Sequence, residues 1–187
     1  MIAAHNLRAE KKFGQNFLLD LNITAKIARA AGDLSGTNVF EIGPGPGGLT
    51  RSLLAAGAQK VVAIEFDPRA VVALEGLKQA AGGRLSVLHA DALSCDLAAV
   101  APAPRAIVAN LPYNISTVLL VSWLAQLAAD PHCYDRFILM FQKEVAERLC
   151  APPGNKTYGR LSVLAQWLCR VEPLFDLPPS VFTPPPK

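Results

Sequence analysis

The sequence predicts an α/β domain built on a mostly parallel sheet. Three observations carry that prediction. Short apolar runs alternate with helical patterns along most of the chain. The run over 39–42 leads at once into Gly43-Pro44-Gly45-Pro46-Gly47-Gly48, four glycines in six residues, and then into Leu49, Leu53 and Leu54 at helical spacing. Two further runs close on an acid, Glu65 and Asp91, and ligands of open α/β sheets sit beyond the carboxyl ends of the strands.

Taken in order, Arg8, Lys11 and Lys12 lead into a loop over 13–20. Asp20 or Asn22 is placed to cap a helix over 23–31. The first strand, 39–42, is followed by the glycine turn and its helix. A second strand over 60–65 precedes a helix over 68–81, with Pro68 at a permitted first-turn position and Gly82-Gly83 as its stop. The third strand is 85–88. Pro102 and Pro104 mark a loop before a fourth strand over 106–109, which runs into Asn110-Leu111-Pro112-Tyr113. A helix over 118–127, a fifth strand over 137–141 and a helix over 144–149 follow. No internal repeat or low-complexity tract appears before the proline-rich end, 178–187.

Composition bounds the function. At 187 residues the chain buries one full-sized core, and a single domain over 1–187 is expected. Apolar residues make up 51% and charged residues 18%, the balance of a globular chain. The longest apolar stretch, 118–129, has the length of a core helix and is interrupted by Ser122 and Gln126. The first residues lack the apolar core of a secretory signal. Cys95, Cys133, Cys150 and Cys169 form no C-x-x-C pair, which argues for thiols in a reducing cytosol and against a zinc site or disulfide frame. His5, His89 and His132 are scattered, so no metal is expected. A net charge of +3 permits an acidic partner such as nucleic acid.

The glycine turn raises the question of a cofactor. Gly43, Gly45 and Gly48 satisfy the G-x-G-x-x-G spacing of dinucleotide enzymes, a weak signal alone. Pro44 and Pro46 remove two backbone donors that a phosphate cradle uses, and Glu41 adds negative charge beside the turn. S-adenosylmethionine has no phosphate and presents an ammonium, a carboxylate, a sulfonium, a ribose and an adenine, so it suits an acidic glycine turn better. Glu65, about twenty residues beyond the glycines, is placed to accept both ribose hydroxyls. Asp91 is placed to accept from the exocyclic amine of the adenine, with Phe66 and Ala92 as apolar cover. A dinucleotide site also predicts Glu65, so that residue does not discriminate. Either acid taken singly reads more readily as a helix cap or a solvated turn, and it is the two on successive strand ends around one glycine turn that point to a site.

Asn110-Leu111-Pro112-Tyr113 does discriminate. A carboxamide oxygen and a nearby main-chain carbonyl can each accept one hydrogen of a planar exocyclic amine, freeing its conjugated lone pair for attack on a methyl sulfonium. Pro112 fixes the turn and biases Leu111 toward an extended conformation. Tyr113 offers a face on which a target base stacks. No general base is demanded, so catalysis rests on orientation and desolvation. A capped turn, with Asn110 bonded to its own backbone, is the structural alternative.

The motifs 12–18 (Lys-Phe-Gly-Gln-Asn-Phe-Leu), 41–50, 110–113, 158–163 and 178–187 resemble those of the small-subunit ribosomal RNA adenine dimethyltransferases, over essentially the whole chain. The resemblance implies a class I S-adenosylmethionine-dependent methyltransferase with a seven-stranded, mostly parallel sheet and one antiparallel strand. It implies transfer of methyl groups to the N6 amines of adjacent adenosines in small-subunit ribosomal RNA, with S-adenosylhomocysteine as product. It implies cytoplasmic action on the immature small subunit, and a monomer. By position, Asn16, Leu18, Gly43, Gly45, Glu65, Asp91, Ala92 and Asn110 meet the cofactor. Asn110, Leu111, Pro112 and Tyr113 form the target loop, and Phe182 encloses the flipped adenine opposite Tyr113. The family continues into a smaller helical domain beyond the segment that ends at Lys187, so the expectation is a truncated catalytic domain. Two alternatives remain: a large-subunit RNA adenine methyltransferase of the antibiotic-resistance type, and a non-catalytic ribosome-assembly or transcription factor on the same fold.

Overall fold

In the computed structural model, residues 15–186 are described. Arg8, Lys11 and Lys12 therefore lie outside the described residues, as do His5 and the start of the 12–18 motif. The chain runs β1 (Phe17–Leu18), α1 (Leu21–Ala30), β2 (Asn38–Ile42), α2 (Gly48–Ala55), β3 (Lys60–Glu65), α3 (Pro68–Ala80), β4 (Leu85–His89), α4 (Leu97–Val100), β5 (Arg105–Asn110), α5 (Ser116–Ala129), β6 (Arg136–Met140), α6 (Lys143–Cys150), α7 (Arg160–Leu168), a 3-10 turn (Pro179–Val181) and β7 (Phe182–Thr183). Five strands form a parallel sheet in the order β4-β3-β2-β5-β6. The seven strands divide into that sheet and a separate antiparallel pair, β1 with β7.

Period-two alternation sorts the strand residues onto two faces. Phe40, Ile42, Val62, Ile64, Ile107 and Ala109 join one buried cluster, with α5 as its main cover. Val39, Val61, Ala63 and Val108 join the other, beneath α1 and α2. Helix α5 buries Leu119, Leu120, Trp123, Leu124 and Leu127, and the Trp123 ring stacks on Phe137 of β6. Large side chains so buried contribute roughly 1.5–3 kcal/mol each.

The sequence leaves the first helix with two candidate caps, and the structure selects Asp20. Its carboxylate accepts from the N–H groups of Asn22 and Ile23, so the helix begins at Leu21. Several elements escape the sequence reading. Helix α4 is a single turn capped by Asp96. Helix α7 has no acidic or hydroxyl cap of the usual kind; Gly159 N–H donates to Ser162 Oγ, and that hydroxyl donates to the Arg148 carbonyl, tying α7 to α6. The β1–β7 pair joins Phe17 to Thr183 and Leu18 to Phe182. Two-residue strands this far apart leave no periodic signal.

The position of the site follows from the sheet. Chain order reverses between β2 and β5, the switch point of an open α/β sheet. The pairing of β2 with β5 covers only Asn38–Phe40 against Arg105–Ile107, whereas β2 stays paired with β3 as far as Ile42 and Ile64. The carboxyl halves of β2 and β5 therefore separate and leave a crevice.

Candidate active site

The glycine turn closes one side of that crevice. Gly43 N–H donates to the Ile64 carbonyl at 2.9 Å, and Gly47 N–H donates to the Pro44 carbonyl at 3.0 Å. Gly45 has φ +53°, in the left-handed region that favours glycine. Two of these glycines are needed for a reason the sequence does not reveal. A Cβ on Gly45 falls 2.8 Å from the Phe17 ring, and one on Gly48 falls 2.7 Å from the Leu18 carbonyl oxygen. The turn lacks side chains partly because β1 lies directly against it.

Glu65 anchors the turn from β3. One carboxylate oxygen accepts from Gly45 N–H at 3.1 Å, the other from Asp67 N–H at 2.8 Å. Each oxygen keeps a further lone pair for a ligand hydroxyl. Burial raises the Glu65 pKa, and the two backbone bonds oppose that shift. Glu41, 2% exposed on the central strand, accepts from Thr50 Oγ1 at 2.6 Å. Burial pushes its carboxyl up to about 8, with the Thr50 bond opposing and the Glu65 charge reinforcing the shift. Asp67 is held by Arg69 through two contacts, 3.0 and 2.7 Å, and accepts from Gln15 at 3.1 Å. The Arg69 bond is the main reason its carboxyl is lowered.

Asn110 ends β5 on the opposite side. Its carboxamide nitrogen donates to the main-chain carbonyl of Asn16 at 2.8 Å. With that donor engaged, Oδ1 remains as an acceptor. Asp91 lies at the rim, where its Oδ1 accepts from Leu93 N–H at 2.9 Å. Phe66 is 57% exposed on the cavity wall.

One cavity of about 230 Å³ brings together Asn16, Leu18, Gly43, Gly45, Glu65, Asp91, Ala92 and Asn110, together with Pro112. Three residues assigned to the target loop or base clamp lie off its wall. Leu111 is buried in the core beneath α5. Tyr113 is half-buried, and its carbonyl accepts from Ser116 Oγ at the start of α5. Phe182 is 5% exposed, because its pairing with Leu18 carries it into the cluster with Leu49 and Val108. In this conformation Phe182 presents no free face to a base.

Sequence reasoning treats Glu41 only as charge beside the turn and does not single out Gln15, Asp67 or Asn114, yet all four line the cavity. The usable signal for Glu41 is an acid inside a central apolar strand, a placement that is costly unless something faces it. A groove of about 580 Å³ along the outer side of β6 is larger but mostly apolar, lined by residues such as Leu124, Phe137, Leu139 and Leu168. No group of three metal-ligating side chains occurs among the described residues. No helix there is long and apolar enough to cross a membrane.

A five-stranded parallel sheet with a glycine turn at its switch point and acids on the next two strand ends defines a class I S-adenosylmethionine-dependent methyltransferase fold. Residues 6–187 match the family described as ribosomal RNA adenine dimethylase, and the chain belongs to it. Ribosomal RNA small subunit methyltransferase A of Jannaschia sp. is 59% identical over all 187 residues, which span 64% of that protein. The protein of the same name from Paracoccus denitrificans is also 59% identical, with 66% of its length spanned. The chain thus spans just under two thirds of these curated relatives. Among solved structures, a dimethyladenosine transferase from Plasmodium falciparum matches 91% of the chain and 59% of its own, with TM-score 0.79 and 34% identity. The 23S rRNA methyltransferase ErmE matches 92% and 66%, with TM-score 0.69 and 30% identity.

Proposed function

We propose that residues 1–187 form the cofactor-binding catalytic domain of an enzyme that dimethylates the N6 amines of adjacent adenosines in small-subunit ribosomal RNA. The observation that carries this reading is Asn110, held by the Asn16 carbonyl with its Oδ1 left as an acceptor at a cavity walled by acids. The cavity suits S-adenosylmethionine by its donor set. Glu41, Glu65, Asp67 and Asp91 line it, and no lysine, arginine or histidine does among the described residues. That set disfavours a pyrophosphate and favours a cation.

S-adenosylmethionine, when bound, supplies a methyl group activated on a sulfonium. Glu65 holds the ribose hydroxyls with the lone pairs that Gly45 and Asp67 leave open. Asp91 and Phe66 receive the adenine at the rim. Asn110 Oδ1 accepts a hydrogen of the target amine and so turns its lone pair toward the methyl. Leu111, buried beneath the loop, and Pro112, whose Cγ lies 3.6 Å from the Cβ position of Gly43, fix the loop against the glycine turn. Tyr113 and Phe182 meet the extruded base only after the loop and the β1–β7 pair adjust.

The substrate is the small-subunit precursor in the cytoplasm. Exposed Lys143 and Arg148 on α6, Lys156, and Arg160 at the start of α7 supply phosphate contacts. Methyl transfer from labelled S-adenosylmethionine to immature small subunits, against naked large-subunit RNA, tests the proposal. Incorporation into small subunits as dimethyladenosine is expected. Preference for large-subunit RNA would assign the chain to the resistance type, and no transfer despite cofactor binding, by this chain and by a longer one carrying the relatives' remaining third, would favour the assembly-factor reading.

A further inference from the structure

Glu41 stands apart from the other acids of the cavity. Asp67 is neutralised by Arg69, Asp91 is exposed at the rim, and Glu65 is fixed by two backbone N–H groups. Glu41 lies on the most buried strand, and its hydrogen-bonding neighbour is the uncharged Thr50. An isolated buried carboxylate is too costly to keep ionised without a partner.

The groups that face Glu41 set its charge. From α2 comes the Thr50 hydroxyl, which is neutral. From β3 comes Glu65, a like charge that raises the Glu41 pKa. Across the cavity stand Asp67 and Asp91. The guanidinium of Arg51, next to Thr50, donates to the carbonyls of Pro46 and Gly47 on the turn. Nothing cationic lines the cavity among the described residues. Among the described residues Glu41 therefore meets no counter-ion, while the ligand read for this cavity brings two positive centres.

We propose that Glu41 is the chain's charge partner for the cationic cofactor, protonated while the cavity holds no cation and releasing its proton to solvent as S-adenosylmethionine enters. The inference rests on the cavity being an S-adenosylmethionine site. It adds that loading is coupled to pH through one residue. A carboxyl held near 8 by burial is mostly protonated at neutral pH. A cation seated beside it lowers that value, and the proton leaves. By linkage, affinity then rises with pH by up to tenfold per unit, until the free carboxyl ionises by itself.

Calorimetric titration at pH 6.5, in buffers of different ionisation enthalpy, counts protons directly. At that pH the ligand's own α-amine is already charged. S-adenosylmethionine should release about one proton per site. 5′-Methylthioadenosine, which keeps the ribose and adenine but carries neither cationic centre, should bind without release. Glu41→Gln retains an acceptor for Thr50 and should bind S-adenosylmethionine with the release abolished. Binding of S-adenosylmethionine by the unaltered protein with no proton released would overturn the proposal, as would undiminished release in Glu41→Gln. Absence of any binding by either ligand would instead overturn the reading of the cavity itself.

Discussion

The Asn110 carboxamide is clasped to the main-chain carbonyl of Asn16 across 94 residues of chain. That bond makes the leading segment part of the reaction geometry. β1 follows Asn16 directly, packs on the glycine turn and pairs with β7 near the other end of the described chain. The orientation of one amide thus depends on three remote segments being in register.

Replacing Asn110 separates its two functions. Asn110→Ala should lower methyl transfer at least ~100-fold, the scale on which a lost orienting group or a misplaced reactant acts. Cofactor affinity should fall much less. Asn110→Asp keeps an acceptor but sets a second oxygen against the Asn16 carbonyl, so it should lose nearly as much activity. Single-turnover rates with separate calorimetry of cofactor binding check both. An active Asp variant would show that the clasp is dispensable.

Glu65 should show a double phenotype. Glu65→Ala is expected to weaken S-adenosylmethionine binding by ~1–3 kcal/mol, the range for a charge-assisted hydrogen bond. It also strands the N–H groups of Gly45 and Asp67, so the cofactor-free protein should melt earlier. Glu65→Gln retains one acceptor and should fall between the two in both measurements. Unchanged melting with weakened binding would mean that the turn finds other partners for its donors.

Much of this arrangement is legible in the sequence, for local reasons. The glycine turn, the acids ending β3 and following β4, and the Asn110 loop each lie at a strand end within a short motif, and alternation reads the strands directly. What escapes is non-local. Phe182 belongs to a proline-rich segment with no periodicity, so its burial against Leu18 depends on a pairing that only the fold reveals. Gln15 reaches Asp67 across 52 residues, and nothing near either residue announces it. Gly48 is read as part of a cofactor fingerprint, yet its missing Cβ is needed for the Leu18 carbonyl.

Gly48 gives that last point a test. Its Cβ site meets a backbone oxygen, which gives way only if β1 moves. Gly48→Ala should therefore displace β1, weaken the Asn16–Asn110 clasp and reduce turnover by more than it reduces stability. Gly36 is the matched control: φ is +76° and nothing lies within 4 Å of its Cβ position. Gly36→Ala should cost only backbone strain, about 1 kcal/mol, and leave turnover intact. Equal loss of activity in the two variants would remove β1 from the site's support.

Glu41 sets the pH dependence of the cofactor-free protein. Its carboxyl rises from an ordinary 4.5 to about 8 on folding, chiefly by burial. Between those values the folded state holds a proton that the unfolded state has lost. Its contribution to stability therefore falls as pH rises from about 4.5 to about 8 and levels off above, the reverse of the slope produced by a salt-bridged acid. The full effect is on the order of a few kcal/mol. Glu41→Gln removes the ionisation while keeping an acceptor for Thr50. Its melting temperature should match that of the unaltered protein near pH 4.5 and exceed it increasingly toward pH 8. Parallel melting curves across that range would show that Glu41 is already ionised in the folded protein, and that a cation outside the described cavity wall holds it.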